Sequence, residues 1–182
     1  MTAPAPRTAL LVIDVQRHLF DAAAPPAEAD AVVARINGLT ARARAANAMV
    51  IFIQHETESP EMSWGSPGWA LEDRLLVTDR DRFVRKTTPD AFLHTGLGAL
   101  LQPLGIRHLV LCGYASDFCV DATARSAAAQ GFDVTLAADA HTTHDKPHAS
   151  GIAIRAQHNA TLSGVDSLRA KINAVPAAQV RF

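Results

Sequence analysis

Hydrophobic residues in this chain fall into short unbroken runs, separated by stretches with apolar residues at helical spacing. Thr8-Ala9-Leu10-Leu11-Val12-Ile13 is such a run and stops at Asp14. Met49-Val50-Ile51-Phe52-Ile53 and Leu109-Val110-Leu111-Cys112 are others, and Asp133-Val134-Thr135-Leu136-Ala137 reads as a further strand. Runs of this kind mark strands covered on both faces, as in parallel sheets. These segments predict strands over 8–13, 49–53, 108–112 and 133–137. Arg82-Phe83-Val84-Arg85 reads as a shorter strand, and Ala160-Thr161-Leu162 as a weak sixth. Helical spacing fills 28–47, 97–104 (closed by Gly105), 117–130 (closed by Gly131) and 147–158. The alternation predicts an α/β fold over residues 1–182: a single-domain, doubly wound, Rossmann-like, mostly parallel six-stranded sheet with helices on both faces. Residues 1–7, rich in Pro and Ala, are left as a flexible N-terminal arm. One connection breaks the pattern. Residues 54–81 carry little regular signal, yet hold both Trp64 and Trp69. Long structureless connections in compact domains are often lids or binding loops. A surface excursion pinned by its tryptophans explains the same letters.

Composition removes several function classes. Of 182 residues, 48% are hydrophobic and 19% charged, a globular balance, and the net charge of −1 leaves no basic footprint for nucleic acid. No apolar run approaches the roughly 18 residues of a membrane span. Met1 to Arg7 lacks the charged start and apolar middle of a signal peptide. Cys112 and Cys119, flanking a predicted turn, suggest neither a disulfide framework nor a zinc site. A reduced, cytoplasmic setting follows, with a small molecule as the partner.

Ligands of open α/β sheets bind beyond the carboxyl ends of the strands. Three reactive side chains fall at such ends: Asp14 after the first strand, Lys86 after the third, Cys119 just past the fourth. A thiol at the start of a helix meets unpaired N–H groups and positive partial charge, which lower its pKa. Asp14 can take its proton, and Lys86 makes carboxylate and thiolate tolerable in a dry site. The N–H groups of Ala115 and Cys119 point where an oxyanion would form. Together these parts describe acyl transfer to water through a thioester. The plainer readings stay open: a small core cysteine, a helix-capping aspartate, a solvated lysine. Cys112, inside an apolar run, belongs to the core.

At these residues the sequence resembles the isochorismatase-like cysteine hydrolase superfamily. Four separated pieces carry the resemblance: Leu10-Leu11-Val12-Ile13-Asp14-Val15-Gln16, Arg85-Lys86-Thr87-Thr88-Pro89-Asp90-Ala91-Phe92, Gly113-Tyr114-Ala115-Ser116-Asp117-Phe118-Cys119-Val120, and Asp139-Ala140-His141-Thr142-Thr143. The resemblance implies Cys119 as nucleophile, Asp14 as base and then acid, and Lys86 as their electrostatic partner. It also implies a cis peptide bond between Tyr114 and Ala115, an oxyanion hole of the Ala115 and Cys119 N–H groups, and assembly into a homodimer or homotetramer. His158 and Asn159 match a pair often seen late in the last helix, with a hydrogen-bonding role.

The metal-binding histidines of nicotinamidases have no counterpart in Ile53-Gln54-His55-Glu56-Thr57. His55 alone is a poor site for a metal that needs three or four ligands. No metal and no cofactor are expected. His141, His144 and His148, with Asp139 and Asp145, could hold a metal. A loop entering a helix, with Asp145 or Thr143 as cap and Pro147 in the first turn, explains them equally. Phe20, His55, Trp69, Tyr114 and Phe118 are expected to line the substrate pocket. The implied activity is hydrolysis of an amide or ureido C–N bond. The alternatives are vinyl-ether hydrolysis of the isochorismatase type, or a catalytically silent binding domain of the same fold.

Overall fold

The computed structural model describes residues 7–20, 23 and 25–182. Six strands form one all-parallel sheet: β1 (Arg7–Ile13), β2 (Met49–His55), β3 (Arg82–Lys86), β4 (Ile106–Tyr114), β5 (Asp133–Thr142) and β6 (Ile172–Val175). Their spatial order is β3-β2-β1-β4-β5-β6. The order reverses between β1 and β4, the switch point where a crevice opens beyond the strand ends.

Alternate residues of β1 explain its unbroken hydrophobicity. Ala9, Leu11 and Ile13 belong to one core, with Val120 and Ala124 of α4 (Cys119–Gln130), Leu97 of α3 (Leu97–Leu101) and Leu162 of α5 (Gly151–Ser163). Leu10 and Val12 face the other core, with Val32, Ile36 and Leu39 of α2 (Ala29–Ala45). Both faces are therefore covered. A fully buried aliphatic side chain of this size contributes about 1.5–3 kcal/mol over an exposed one. A short helix, α1 (Arg17–Phe20), precedes α2.

Several expectations need correction. Residues 160–162 lie in the last turn of α5, and the sixth strand is Ile172–Val175. Thr161 and Leu162 suit either element in isolation, but Leu162 faces the core from the helix. The helix starts at Gly151, not at 147. Its cap is Ser150, whose side chain accepts from Ala153 N, while Asp145 accepts from Gly151 N. Arg7 opens β1 rather than ending an arm; residues 1–6 lie outside the described residues. The 54–81 connection is tied to the body by a bridge between Gln16 and Leu71. Gln16 and Gln54 amides also donate to Trp69 O. Trp64 stays 65% exposed, with Arg85 stacked 4.2 Å from its ring centre.

Gly113 is the residue on which the central pair of strands depends. It lies opposite Ile13 with φ at 114°, and a β-carbon there would stand 2.7 Å from Ile13 N and overlap its carbonyl oxygen. Gly113→Ala combines a left-handed conformation with overpacking against backbone. The expected cost is about 3 kcal/mol or more. Urea denaturation measures it directly, and a loss under 1 kcal/mol would contradict this packing.

Candidate active site

Asp14, Lys86 and Cys119 meet at the switch point. Asp14 follows β1 with φ at 50°, a conformation Asp tolerates better than most residues, and its N–H donates to Ile53 O. Cys119 opens α4. Lys86 ends β3, two strands from β1, a span of roughly 10 Å at ordinary strand spacing. A lysine arm can cross it. Lys86 Nζ lies 2.7 Å from Asp14 Oδ2 and 3.2 Å from Cys119 Sγ. Lys86 and Asp14 are 2% and 1% exposed, so this is a desolvated ion pair.

Lys86 also donates to Thr88 O at 3.1 Å and lies 3.2 Å from His55 Nδ1. An ammonium carries only donors, so His55 Nδ1 accepts and the ring is neutral. Burial, and then the charge of Lys86, lower the His55 pKa, in keeping with a neutral ring. Asp14 Oδ1 is buried and has no hydrogen-bond partner among the described residues.

The thiol departs from the expectation drawn from its helix. Burial, and next the Asp14 carboxylate, push Cys119 up to about 12, while Lys86 pulls the other way. Desolvation outweighs position at a helix start. The resting group is a thiol, and a base must take its proton. Cys112 is fully buried in β4, and both cysteines are unpaired.

The peptide bond between Tyr114 and Ala115 is cis. The turn is held by Phe118 N and Val120 N, which donate to Ala115 O, and by Ser116 N, which donates to Thr142 O. Among the described residues, Ala115 N and Cys119 N are not engaged by backbone or side-chain acceptors.

The five expected pocket residues sort into different settings. Tyr114 packs edge-on against Phe20 and against His144, whose Nδ1 lies 2.9 Å from the Tyr114 hydroxyl. His55 is tied to Lys86. Phe118 is 57% exposed beside Cys119, with Lys146 Nζ 4.4 Å from its ring centre. Lys146 in turn pairs with Asp117. Trp69 presents its carbonyl to the body, and its buried Nε1 has no partner among the described residues.

Sequence reasoning missed Gln16, whose fully buried amide holds both the N–H and the carbonyl of His55. It also missed what His141 does. That histidine bonds Ser116 and Asn159, while Asp139 accepts from Ala177 N and Asp145 from Gly151 N. Asp139, His141, His144 and Asp145 of the possible metal cluster are thus engaged separately. Among the described residues no three His, Cys, Asp or Glu side chains converge for a metal. No helix among them is long and apolar enough to cross a membrane.

Burial lowers His141 to about 4. Below pH 6.5 the unfolded chain binds a proton here that the folded chain refuses until about pH 4. Stability is expected to fall by about 2–3 kcal/mol from this group between pH 7 and 4.5. Urea unfolding at the two pH values checks it. His141→Asn should flatten the dependence, and an unchanged slope would contradict it.

Comparison with known proteins adds ancestry to this geometry. Streptothricin hydrolase of Streptomyces noursei is 43% identical over 150 residues, covering 80% of this chain and 53% of that protein. This chain therefore spans about half the length of that relative. The secreted isochorismatase effector Isc1 of Verticillium dahliae is 32% identical, covering 80% of this chain and 78% of its own. A crystal structure described as an isochorismatase family protein superposes with a TM-score of 0.84 at 30% identity, over 92% of this chain and 97% of that one. The sequence model of the isochorismatase domain matches residues 8–167, and the chain belongs to the isochorismatase family.

Proposed function

We propose that this protein is a cysteine-dependent hydrolase that cleaves an amide or ureido C–N bond of a small molecule through a thioester. One observation carries the reading: a buried ammonium lies within hydrogen-bond reach of both a carboxylate and a thiol at the sheet's switch point. In this reading Asp14 Oδ1 takes the Cys119 proton as Sγ attacks the carbonyl carbon. The oxyanion faces the N–H groups of Ala115 and Cys119. The C–N bond breaks as Asp14 returns the proton to the leaving nitrogen. Water, deprotonated by Asp14, then attacks the thioester, releasing the acid and restoring the thiol. Lys86 offsets the negative charge carried in turn by Asp14 and Cys119. No step calls for a metal, and His55, which lies against Lys86, already spends Nδ1 on it.

Family membership and the streptothricin hydrolase relative support hydrolase chemistry, and a nicotinamidase of Arabidopsis thaliana and a ureidoacrylate amidohydrolase of Klebsiella pneumoniae among the relatives support an amide-type substrate. Streptothricin is the first compound to test, although the streptothricin hydrolase is a longer protein. The reading extends to a homodimer or homotetramer in the cytoplasm. Cys119→Ala is the test of bond type. Turnover of amides should vanish with the thiol. Hydrolysis that survives the substitution would favour vinyl-ether chemistry, and no turnover of any amide by the native protein would favour a binding domain.

A further inference from the structure

Behind the Cys119 turn lies a second constellation, built from Ser116, His141 and Asn159. Ser116 Oγ is 2.8 Å from His141 Nδ1, and His141 Nε2 is 2.9 Å from Asn159 Oδ1. The Asn159 amide nitrogen donates to Ala138 O at 2.9 Å. That last bond fixes the rest. Asn159 Oδ1 must accept, so His141 carries its proton on Nε2, and Nδ1 accepts from the Ser116 hydroxyl. The order resembles that of a nucleophile, base and orienting group. Yet Ser116 and His141 are both 0% exposed, so no substrate reaches them.

The chain has a structural origin. Leu111 of β4 pairs with Leu136, but Gly113 pairs with His141, so β5 carries extra residues between the two registers. Such a bulge re-aims a side chain. Here it brings His141 beside Gly113 and Ser116. It is braced from both sides of the sheet, by Asn159 of α5 on Ala138 O and by Arg35 of α2 on Asp139 O. Ser116 immediately follows Ala115, whose N–H is half of the proposed oxyanion hole.

We propose that Asn159, His141 and Ser116 are positioning residues that hold the Ala115 N–H in line with the developing oxyanion, and that the His141–Ser116 bond is the part that matters. This rests on the thioester reading. The test separates a step that needs the oxyanion hole from one that does not. Acylation of Cys119 by p-nitrophenyl acetate forms a tetrahedral oxyanion: sulfur bonds to the acyl carbon and p-nitrophenolate leaves. Alkylation by iodoacetamide displaces iodide and forms none.

Ser116→Ala and His141→Gln should slow the p-nitrophenolate burst by about tenfold or more, part of the 10²–10³ lost with a whole donor. Alkylation should stay within twofold. His141→Asn keeps an acceptor near the Nδ1 position and should retain a burst within threefold of the native rate. Ser116→Ala removes a single oxygen and covers the case in which a His141 variant fails to fold. Equal slowing of acylation and alkylation, unchanged bursts in all variants, or His141→Asn as slow as His141→Gln would overturn the proposal. A burst that persists in Cys119→Ala would sink the thioester reading, and the positioning role with it.

Discussion

Asp14→Asn should lower amide turnover by about 10³-fold or more while the protein stays folded. The substitution keeps size and leaves an oxygen to accept from Lys86 in a charge-assisted hydrogen bond, although the ammonium, 2% exposed, loses its counterion and the variant is expected to be less stable than the native protein. What disappears is a base that works twice, once on the thiol and once on water, and an acid for the leaving nitrogen. General acid–base groups each contribute typically 10²–10⁴-fold. The thiol supplies a second, opposite readout. The Asp14 carboxylate is among the groups that hold Cys119 up at about 12, and Lys86 remains to pull it down. Alkylation of Cys119 at pH 8 should therefore speed up in the same variant that loses turnover. A variant in which turnover and alkylation fall together would point to a collapsed site rather than a lost base.

Lys86→Met should damage both stability and activity. The ammonium is the partner of a carboxylate that is 1% exposed, and its loss leaves that charge buried without a counterion. Breaking a buried pair from one side costs about 3–5 kcal/mol. For a protein of this size that corresponds to a melting temperature lower by about 10 °C. The substitution also leaves Thr88 O and His55 Nδ1 without their donor. Differential scanning calorimetry reads the first effect, and amide turnover should be abolished. The double variant with Asp14→Asn should regain part of the lost stability, because no buried charge remains. If Lys86→Met melts with the native protein, the pair contributes nothing and the electrostatic account fails.

β1, β2 and β4 were legible because Leu10, Phe52 and Leu109 sit in unbroken apolar runs that the structure buries on both faces, and β5 because Val134, Leu136 and Ala137 cluster after the Gly131 that closes α4. β6 was not. It is a four-residue edge strand with an exposed asparagine, Asn173, in its middle, too short for any period. Asp14, Lys86 and Cys119 could be chosen from sequence because each follows a recognisable strand, and parallel strands share one carboxyl edge. Their distances could not, since Lys86 reaches across a whole strand. The thiol's protonation was misread because a helix start is visible in sequence and desolvation is not. Ser116, His141 and Asn159 were invisible as a group: a bulge in β5 brings them together, and nothing in Ala137-Ala138-Asp139-Ala140 announces it.

Turnover through a thioester requires a covalent bond between Cys119 and the acyl part of a substrate. Intact-mass analysis of the protein, quenched in acid during turnover of an amide panel that includes streptothricin, reads that bond. The expected result is an added mass equal to the acyl fragment, mapped to Cys119 by peptide sequencing and absent from Cys119→Ala. Turnover with no adduct at any quench time, together with full activity in Cys119→Ala, would contradict it.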